Sequence, residues 1–199
     1  MTTTLRILAG VFLTICAVSG IADAQTYNQT GWFVGAGPAM EWLVGDGYDL
    51  DRSDLSTTGY GINFIGGYAF TSWLSARATV SMVHHSGGVA AAVVDLIGTW
   101  PSGKLEPLVF ARFGKMAAHL TNAQFDTAEV AEKGEWKGWA YGGGAGFRYW
   151  VSPKVTLVCE GVYTYVRLDK TVLDGFPKAI GKAYDGTTAA LYLRIQYHW

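Results

Sequence analysis

The chain has 199 residues, of which half are hydrophobic, 14% are aromatic, only 16% are charged and 26 are glycine, and its formal net charge is -1. This length allows one domain with a substantial core, and the near-neutral charge without a basic run argues against nucleic acid as a partner. Low charge combined with many glycines and aromatics is unusual for a soluble α/β enzyme and is typical of an all-β membrane barrel.

The first segment, residues 1–24, is predicted to be a cleaved signal peptide. Arg6 supplies the positive charge, residues 7–21 are mostly apolar, and the small residues of Ala22-Asp23-Ala24 predict cleavage before Gln25. The alternative, a membrane-spanning helix, needs about 20 apolar residues, which is more than this interrupted run provides. Residues 25–199 then form one barrel domain.

Cysteine usage is consistent with export of a protein that has no disulfide. Cleavage removes Cys16 and leaves Cys159 alone, so the mature chain can form no internal disulfide. A closed barrel in lipid obtains its stability from complete backbone hydrogen bonding instead. No later run is long enough for a transmembrane helix, which leaves strands as the expected spanning elements.

Eight segments alternate apolar and polar residues with a period of two, the pattern of a strand between lipid and a polar interior. The alternation is clearest in the last segment, where every odd position from Ala189 to Trp199 is apolar. Pro38, in the first segment, predicts a bulge or a lost ladder bond. The segments are residues 31–43, 58–70, 73–84, 90–100, 107–117, 138–150, 154–167 and 187–199. The predicted fold is an eight-stranded antiparallel up-and-down transmembrane β-barrel.

The connections between these strands alternate in length. Short turns are predicted at 71–72, 101–106 and 151–153, and the opposite connections are 44–57, 85–89, 118–137 and 168–186. Three of these opposite connections are long and polar, and 85–89 is the short exception. Long loops at one end and tight turns at the other are the asymmetry of outer-membrane barrels, in which the long loops are extracellular. Tryptophans are predicted to lie at the two membrane interfaces, since amphipathic rings favour that depth; they are Trp32, Trp42, Trp73, Trp100, Trp139, Trp150 and Trp199.

With the strands placed, the chain resembles the OmpA-like eight-stranded outer-membrane β-barrel family, which includes small OmpX-type and opacity-type barrels. The resemblance lies in GWFVGAG at 31–37, EPLVFA at 106–111, GGGAGFRY at 142–149 and LYLRIQYHW at 191–199. It implies location in a Gram-negative outer membrane, assembly through recognition of the C-terminal strand by the barrel assembly machinery, and no cofactor. It is specific for fold and carries little information about function.

Charged residues on the inward positions predict a network that fills the lumen. An eight-stranded barrel is only wide enough to be filled by side chains, and an unpaired charge inside it would cost several kcal/mol. Counting from the turns predicts that Asp95 pairs with Arg112 or Arg77, and that Glu160 pairs with Arg194 or Arg148. The predicted inward charges are Glu41, Arg77, Asp95, Arg112, Arg148, Glu160 and Arg194. A gated narrow pore through this network is an alternative reading.

The sequence His84-His85-Ser86 is the one candidate for catalysis. It resembles the His-x-Ser of outer-membrane lipid A deacylases, in which His84 would be the base and Ser86 the nucleophile. Gly87 stands where that motif continues with Asn, and no acidic orienting residue has a matching spacing. Metal binding by His84 and His85 is not expected, because adjacent strand residues point to opposite faces.

The function expected from these observations is that of a non-enzymatic, monomeric outer-membrane barrel that supports envelope integrity. Its partners would be outer-membrane lipid and lipopolysaccharide, and a host or surface ligand could bind the exposed loops. Acidic residues in the first and third long loops could bind divalent cations, although such loops are usually solvated. A lipid A-modifying hydrolase and a narrow pore are the alternatives.

Overall fold

Alternating side chains divide each strand into an inward and an outward face, and the computed structural model closes eight such strands into one barrel. It describes residues 30–44, 58–85, 88–120, 134–173 and 184–199. The predicted signal peptide lies outside these residues. The strands are β1 (Gly31–Val44), β2 (Thr58–Ala69), β3 (Leu74–His84), β4 (Gly88–Thr99), β5 (Leu105–Leu120), β6 (Gly134–Ser152), β7 (Val155–Leu173) and β8 (Tyr184–His198).

Each strand pairs antiparallel with its neighbours in the chain, and β1 pairs with β8 to close the barrel. The strands are inclined to the barrel axis. A row of paired residues that starts at Phe33 and passes once around the wall returns to β1 at Leu43. This stagger is the shear that closure of a twisted sheet requires. The predicted fold class is therefore confirmed.

Three short connections lie at one end of the barrel, at residues 70–73, 100–104 and 153–154; the connection between β3 and β4, residues 85–87, is also short but lies at the other end. Side chains support these turns: the Thr71 hydroxyl accepts a hydrogen bond from the Leu74 N–H at 3.0 Å, and the Ser102 hydroxyl donates to the Leu105 carbonyl at 2.7 Å. Gly103 has a φ of 97°, in the region that glycine adopts most readily. We call this the short-turn end and the opposite end the long-loop end.

Strands at the long-loop end extend further than predicted. The predicted loops 118–137 and 168–186 are partly strand, since β5 continues to Leu120, β7 continues to Leu173 and β8 begins at Tyr184. Backbone pairing between neighbouring strands does not require an apolar face, so the ladder continues after the lipid-facing alternation ends. Apolar periodicity therefore locates the membrane-facing part of each strand and underestimates its full length.

Pro38 removes ladder pairing without changing the register. The partners of Ala36 and Ala39 on β8 are Ile195 and Tyr192, which are separated by the same number of residues, so no bulge is inserted between them. Of the two predicted outcomes, the lost ladder bond is the one observed. The amide of Asn63 on β2 donates to the carbonyls of Gly37 and Pro38, at 2.9 and 3.1 Å.

The two faces of the wall have opposite chemistry. Inward side chains form buried apolar clusters, one of which includes Ile97, Leu108 and Phe110, together with a large set of buried polar and charged residues. Outward side chains are mostly large and apolar, and they include Trp32, Leu96 and Ile195, which are exposed. This arrangement reverses that of a soluble protein and suits a barrel surrounded by lipid. Among the described residues, no helix is long and apolar enough to cross a membrane.

Candidate functional site in the barrel lumen

Three charged side chains are brought together by strand register. Asp95 on β4 lies directly opposite Arg77 on β3 and directly opposite Arg112 on β5. All point into the lumen and are almost fully buried. The same row continues to Gly67 on β2 and Gly142 on β6, which carry no side chain.

Asp95 is held by both arginines at once. Its Oδ2 atom accepts hydrogen bonds from Arg77 Nη2 at 2.7 Å, from Arg77 Nε at 2.9 Å and from the Thr79 hydroxyl at 2.9 Å. Its Oδ1 atom accepts from Arg112 Nε at 2.7 Å. A buried carboxylate is tolerated when its lone pairs are used in this way, because charge-assisted hydrogen bonds offset the loss of hydration.

Glu160 on β7 extends the network to the other side of the lumen. Arg77 donates to Glu160 through Nη1 at 2.6 Å and through Nη2 at 3.1 Å. Glu160 also pairs with Arg194 on β8, and Arg194 Nε donates to the Asn63 side chain on β2. A continuous chain of charged and polar groups therefore crosses the lumen from β5 to β2.

Two aromatic rings fill the space around these charges. The Phe110 ring lies 5.3 Å from the Arg77 guanidinium carbon and 5.4 Å from that of Arg112. The Tyr192 ring lies 4.5 Å from the Arg194 guanidinium carbon, and its hydroxyl accepts a hydrogen bond from Arg112 at 3.4 Å. Stacking against aromatic faces is favourable for a desolvated guanidinium. The centre of the lumen is thus both packed and paired.

Each end of the lumen has its own pair of facing polar side chains. At the long-loop end, His85 Nε2 lies 3.5 Å from a Glu41 carboxylate oxygen, with both side chains buried. At the short-turn end, Arg148 Nη1 lies 3.7 Å from Glu106 Oε2. Among the described residues the buried side chains include four arginines and four carboxylates, so the lumen is balanced in formal charge.

All of the predicted inward charges are buried in the lumen, and of the two alternative partners predicted for Glu160, Arg194 is the one in contact. Asp95 contacts both of its predicted partners, and Glu160 contacts Arg194. The second partner of Glu160 is Arg77, whereas Arg148 lies opposite Glu106 in the register of β5 and β6. Counting within one hairpin could not place Arg77, because its contact with Glu160 crosses the lumen.

Sequence reasoning missed other lumen residues. Glu106 falls in a predicted turn, yet it lies in β5 in phase with the inward residues Leu108 and Arg112. Extending the inward alternation of β5 toward the N-terminus would have identified Glu106 as an inward residue. His85 falls in the predicted loop at the end of β3, yet its side chain is buried against Glu41. No pattern in the sequence indicated that contact.

Most of the predicted interfacial tryptophans lie on the outer wall, and one does not. Trp150 is only 1% exposed, and its ring lies inside the short-turn end at 4.8 Å from that of His198. Adjacent strand residues point to opposite faces, so Tyr149 and Trp150 could not both face lipid. Tyr149 is the exposed member of the two. Of the other predicted tryptophans, Trp42 is half-buried, and the exposed ones are Trp32, Trp73, Trp100, Trp139 and Trp199.

The candidate catalytic pair gains no support from the described geometry. His84 lies on the outer wall, and its cross-strand neighbours are Tyr60 and Gly88, neither of which is acidic. Ser86 lies outside the described residues, as do the acidic positions of the segments 45–57 and 121–133. Within the described part of the chain, no group of three His, Cys, Asp or Glu side chains could hold a metal ion.

Comparison with solved structures identifies barrels of the same architecture. Neisserial surface protein A is 14% identical, covers 85% of this chain and 98% of its own, and has a TM-score of 0.61. The outer membrane protein AlkL, solved in lipid bilayers, is 18% identical, covers 89% and 94%, and has a TM-score of 0.58. OprG of Pseudomonas aeruginosa is 12% identical, covers 86% and 97%, and has a TM-score of 0.51. No protein-family model and no curated protein matches the chain.

These likenesses extend over nearly the whole of each relative, so they describe the complete barrel. The chain has the fold of the small eight-stranded outer-membrane barrels, as its resemblance to the OmpA-like family predicted.

Proposed function

We propose that the chain is a non-enzymatic, monomeric outer-membrane barrel that supports envelope integrity and presents its long-loop end for surface interactions. The observation that carries the proposal is the combination of a lumen crossed by a paired charge network with an apolar outer wall. The paired side chains fill the lumen and make it rigid, and the apolar outer wall requires surrounding lipid. The barrel then presents its long-loop end at the cell surface.

The outer face of β8 supports assembly in that membrane. Leu191, Leu193, Ile195 and Tyr197 alternate with buried polar residues and are exposed on the outer wall. We expect the barrel assembly machinery to recognise this strand. One neighbour of the same fold supports the surface role: Ail, the attachment invasion locus protein of Yersinia pestis, is 15% identical with a TM-score of 0.50 and was solved with the heparin analogue sucrose octasulfate.

Membrane location is tested by outer-membrane fractionation together with heat-modifiable migration in detergent gels. We expect the folded chain to fractionate with the outer membrane and to migrate differently before and after boiling. A soluble β-sandwich would show neither behaviour, and that result would overturn the proposal.

Conductance in planar bilayers tests the closed lumen. The native barrel should give no steady channels, because Arg77 and Arg194 hold Glu160 across the lumen. The double variant Glu160→Ala/Arg194→Ala, with its folding checked by heat-modifiable migration, should conduct more than the native barrel. Steady conductance by the native barrel would favour the narrow pore instead.

Lipid A mass spectra test the enzymatic alternative. Cells with and without the gene should show the same acylation pattern. A pattern that changes with the gene and returns on His84→Ala would contradict a non-enzymatic role.

A further inference from the structure

An open apolar groove of about 600 Å³ lies on the outer wall near the long-loop end, across β2 to β5. It forms where small side chains on β4 and β5 lie beside larger side chains on β2 and β3. Its outward lining includes Tyr60, Ile62, Met82, His84, Ala90 and Ala117. The width and chemistry of the groove suit the methylene chains of a lipid acyl group.

A row of cations borders this groove. Lys115 on β5 lies directly opposite Trp139 on β6, which lies directly opposite Arg167 on β7. Lys137 lies two positions beyond Trp139 on the same face of β6, directly opposite the groove residue Ala117. All four side chains are exposed on the outer wall. A cation on a wall that otherwise faces lipid is stabilised by an anionic group at the same depth.

Lys115 is the cation best placed for such a partner. Its Nζ atom lies 4.8 Å from the centre of the Trp139 ring, which also stacks on Phe113 at 5.1 Å. The cross-strand neighbours of Lys115 are Ala92 and Trp139, whereas Lys137 and Arg167 have Asp169 and Asp185 as neighbours in the register. Lys115 thus lacks an acidic cross-strand neighbour, and it lies two positions from the groove residue Ala117 on the same face of β5.

From this combination we infer that the wall formed by β2 to β7 binds a phosphorylated, multiply acylated glycolipid of the outer leaflet. A phosphate lies against Lys115, supported by Lys137 and Arg167, and an acyl chain of the same molecule lies in the groove. Charge complementarity selects the phosphate, and the adjoining apolar groove selects a ligand that carries chains beside it. The inference rests on the proposed location in an outer membrane, and it assigns a lipopolysaccharide site to a defined part of the wall.

Binding of purified lipid A to the detergent-solubilised full-length barrel tests the site, with bound lipid quantified by native mass spectrometry. Lys115→Gln should weaken binding about fivefold, and Lys115→Gln/Lys137→Gln/Arg167→Gln by about a hundredfold, because each cation near an anionic lipid surface contributes a similar increment. The matched control Lys104→Gln/Lys154→Gln removes two exposed cations at the short-turn end and should bind as the native protein does. Enzymatic removal of the lipid phosphates should weaken binding to the native protein and make it insensitive to the triple variant.

The groove has its own matched variants. Ala90→Phe places a ring in the groove and should weaken lipid A binding severalfold, whereas Ala111→Phe adds the same ring to the outer face of β5 outside the groove and should not. Three outcomes would each overturn the site. The triple variant could bind lipid A as tightly as the native protein, the native protein could bind dephosphorylated lipid A as tightly as lipid A, or phosphatidylglycerol could compete as well as lipid A. If the native barrel still fractionates with the outer membrane and is heat-modifiable, only the site has failed; if it does neither, the proposed function has failed as well.

Discussion

Cys159 and Glu160 are adjacent on β7, yet they belong to two different environments. Cys159 is exposed on the outer wall, and Glu160 is fully buried between Arg77 and Arg194. The inner face contains paired charges and the outer face contains large apolar side chains, so polarity is reversed relative to a soluble protein. Neighbouring positions in one strand should therefore respond to substitution for unrelated reasons: ion pairing inside and lipid solvation outside.

The largest effect on stability is expected at Glu160, inside the lumen. Glu160→Ala leaves two buried guanidinium groups without their shared carboxylate and should lower the free energy of unfolding by about 3–5 kcal/mol. The neighbouring control Cys159→Ala removes only a small lipid-facing group and should cost less than about 1 kcal/mol. Urea titration of the barrel in lipid vesicles, followed by heat-modifiable migration, measures both values. Equal losses for the two variants would show that the faces are wrongly assigned.

Placing a charge on the apolar outer face tests whether that face contacts lipid. Leu193 is exposed near the middle of the lipid-facing part of β8, and Leu193→Arg should lower the free energy of unfolding by about 2–4 kcal/mol. Tyr197→Arg places the same charge on the same face near the short-turn end, where the cost of the charge should fall to about 0–1 kcal/mol. The same urea titration compares them. A cost independent of position along β8 would contradict a membrane-spanning orientation of this strand.

Much of the fold could be predicted because the alternation of apolar and polar residues is a local property. The alternation from Ala189 to Trp199 indicates the faces of β8, and the turns at 71–72 and 101–106 determine which strands are neighbours. Direct register partners follow from these turns, which is why the pairing of Asp95 with Arg112 could be predicted from the sequence alone. Features that depend on one strand or one hairpin can therefore be predicted from the sequence.

Contacts across the lumen could not be predicted in this way. The hydrogen bonds between Arg77 and Glu160 join side chains 83 residues apart on strands that are not neighbours in the sheet. Their meeting depends on barrel diameter, stagger and the length of the arginine side chain. The prediction for Trp150 failed for a different reason, because ring chemistry was given more weight than strand phase. The position of a residue in the strand alternation determines which face its side chain occupies, whatever the type of that side chain.

The smallest predicted effect concerns two glycines that face opposite environments. A Cβ atom at Gly37, on the inner side of β1, would lie 2.8 Å from the Arg194 Cα atom of β8, whereas a Cβ at Gly66, on the outer side of β2, would meet no atom within 4 Å. Gly37→Ala must therefore displace backbone and should cost about 1–3 kcal/mol. Gly66→Ala should change stability by less than about 0.5 kcal/mol. Urea titration of both variants in vesicles checks this difference. If both alanines are tolerated equally, the close approach of β1 and β8 inside the wall does not limit side-chain size, and residues with side chains could occupy that position.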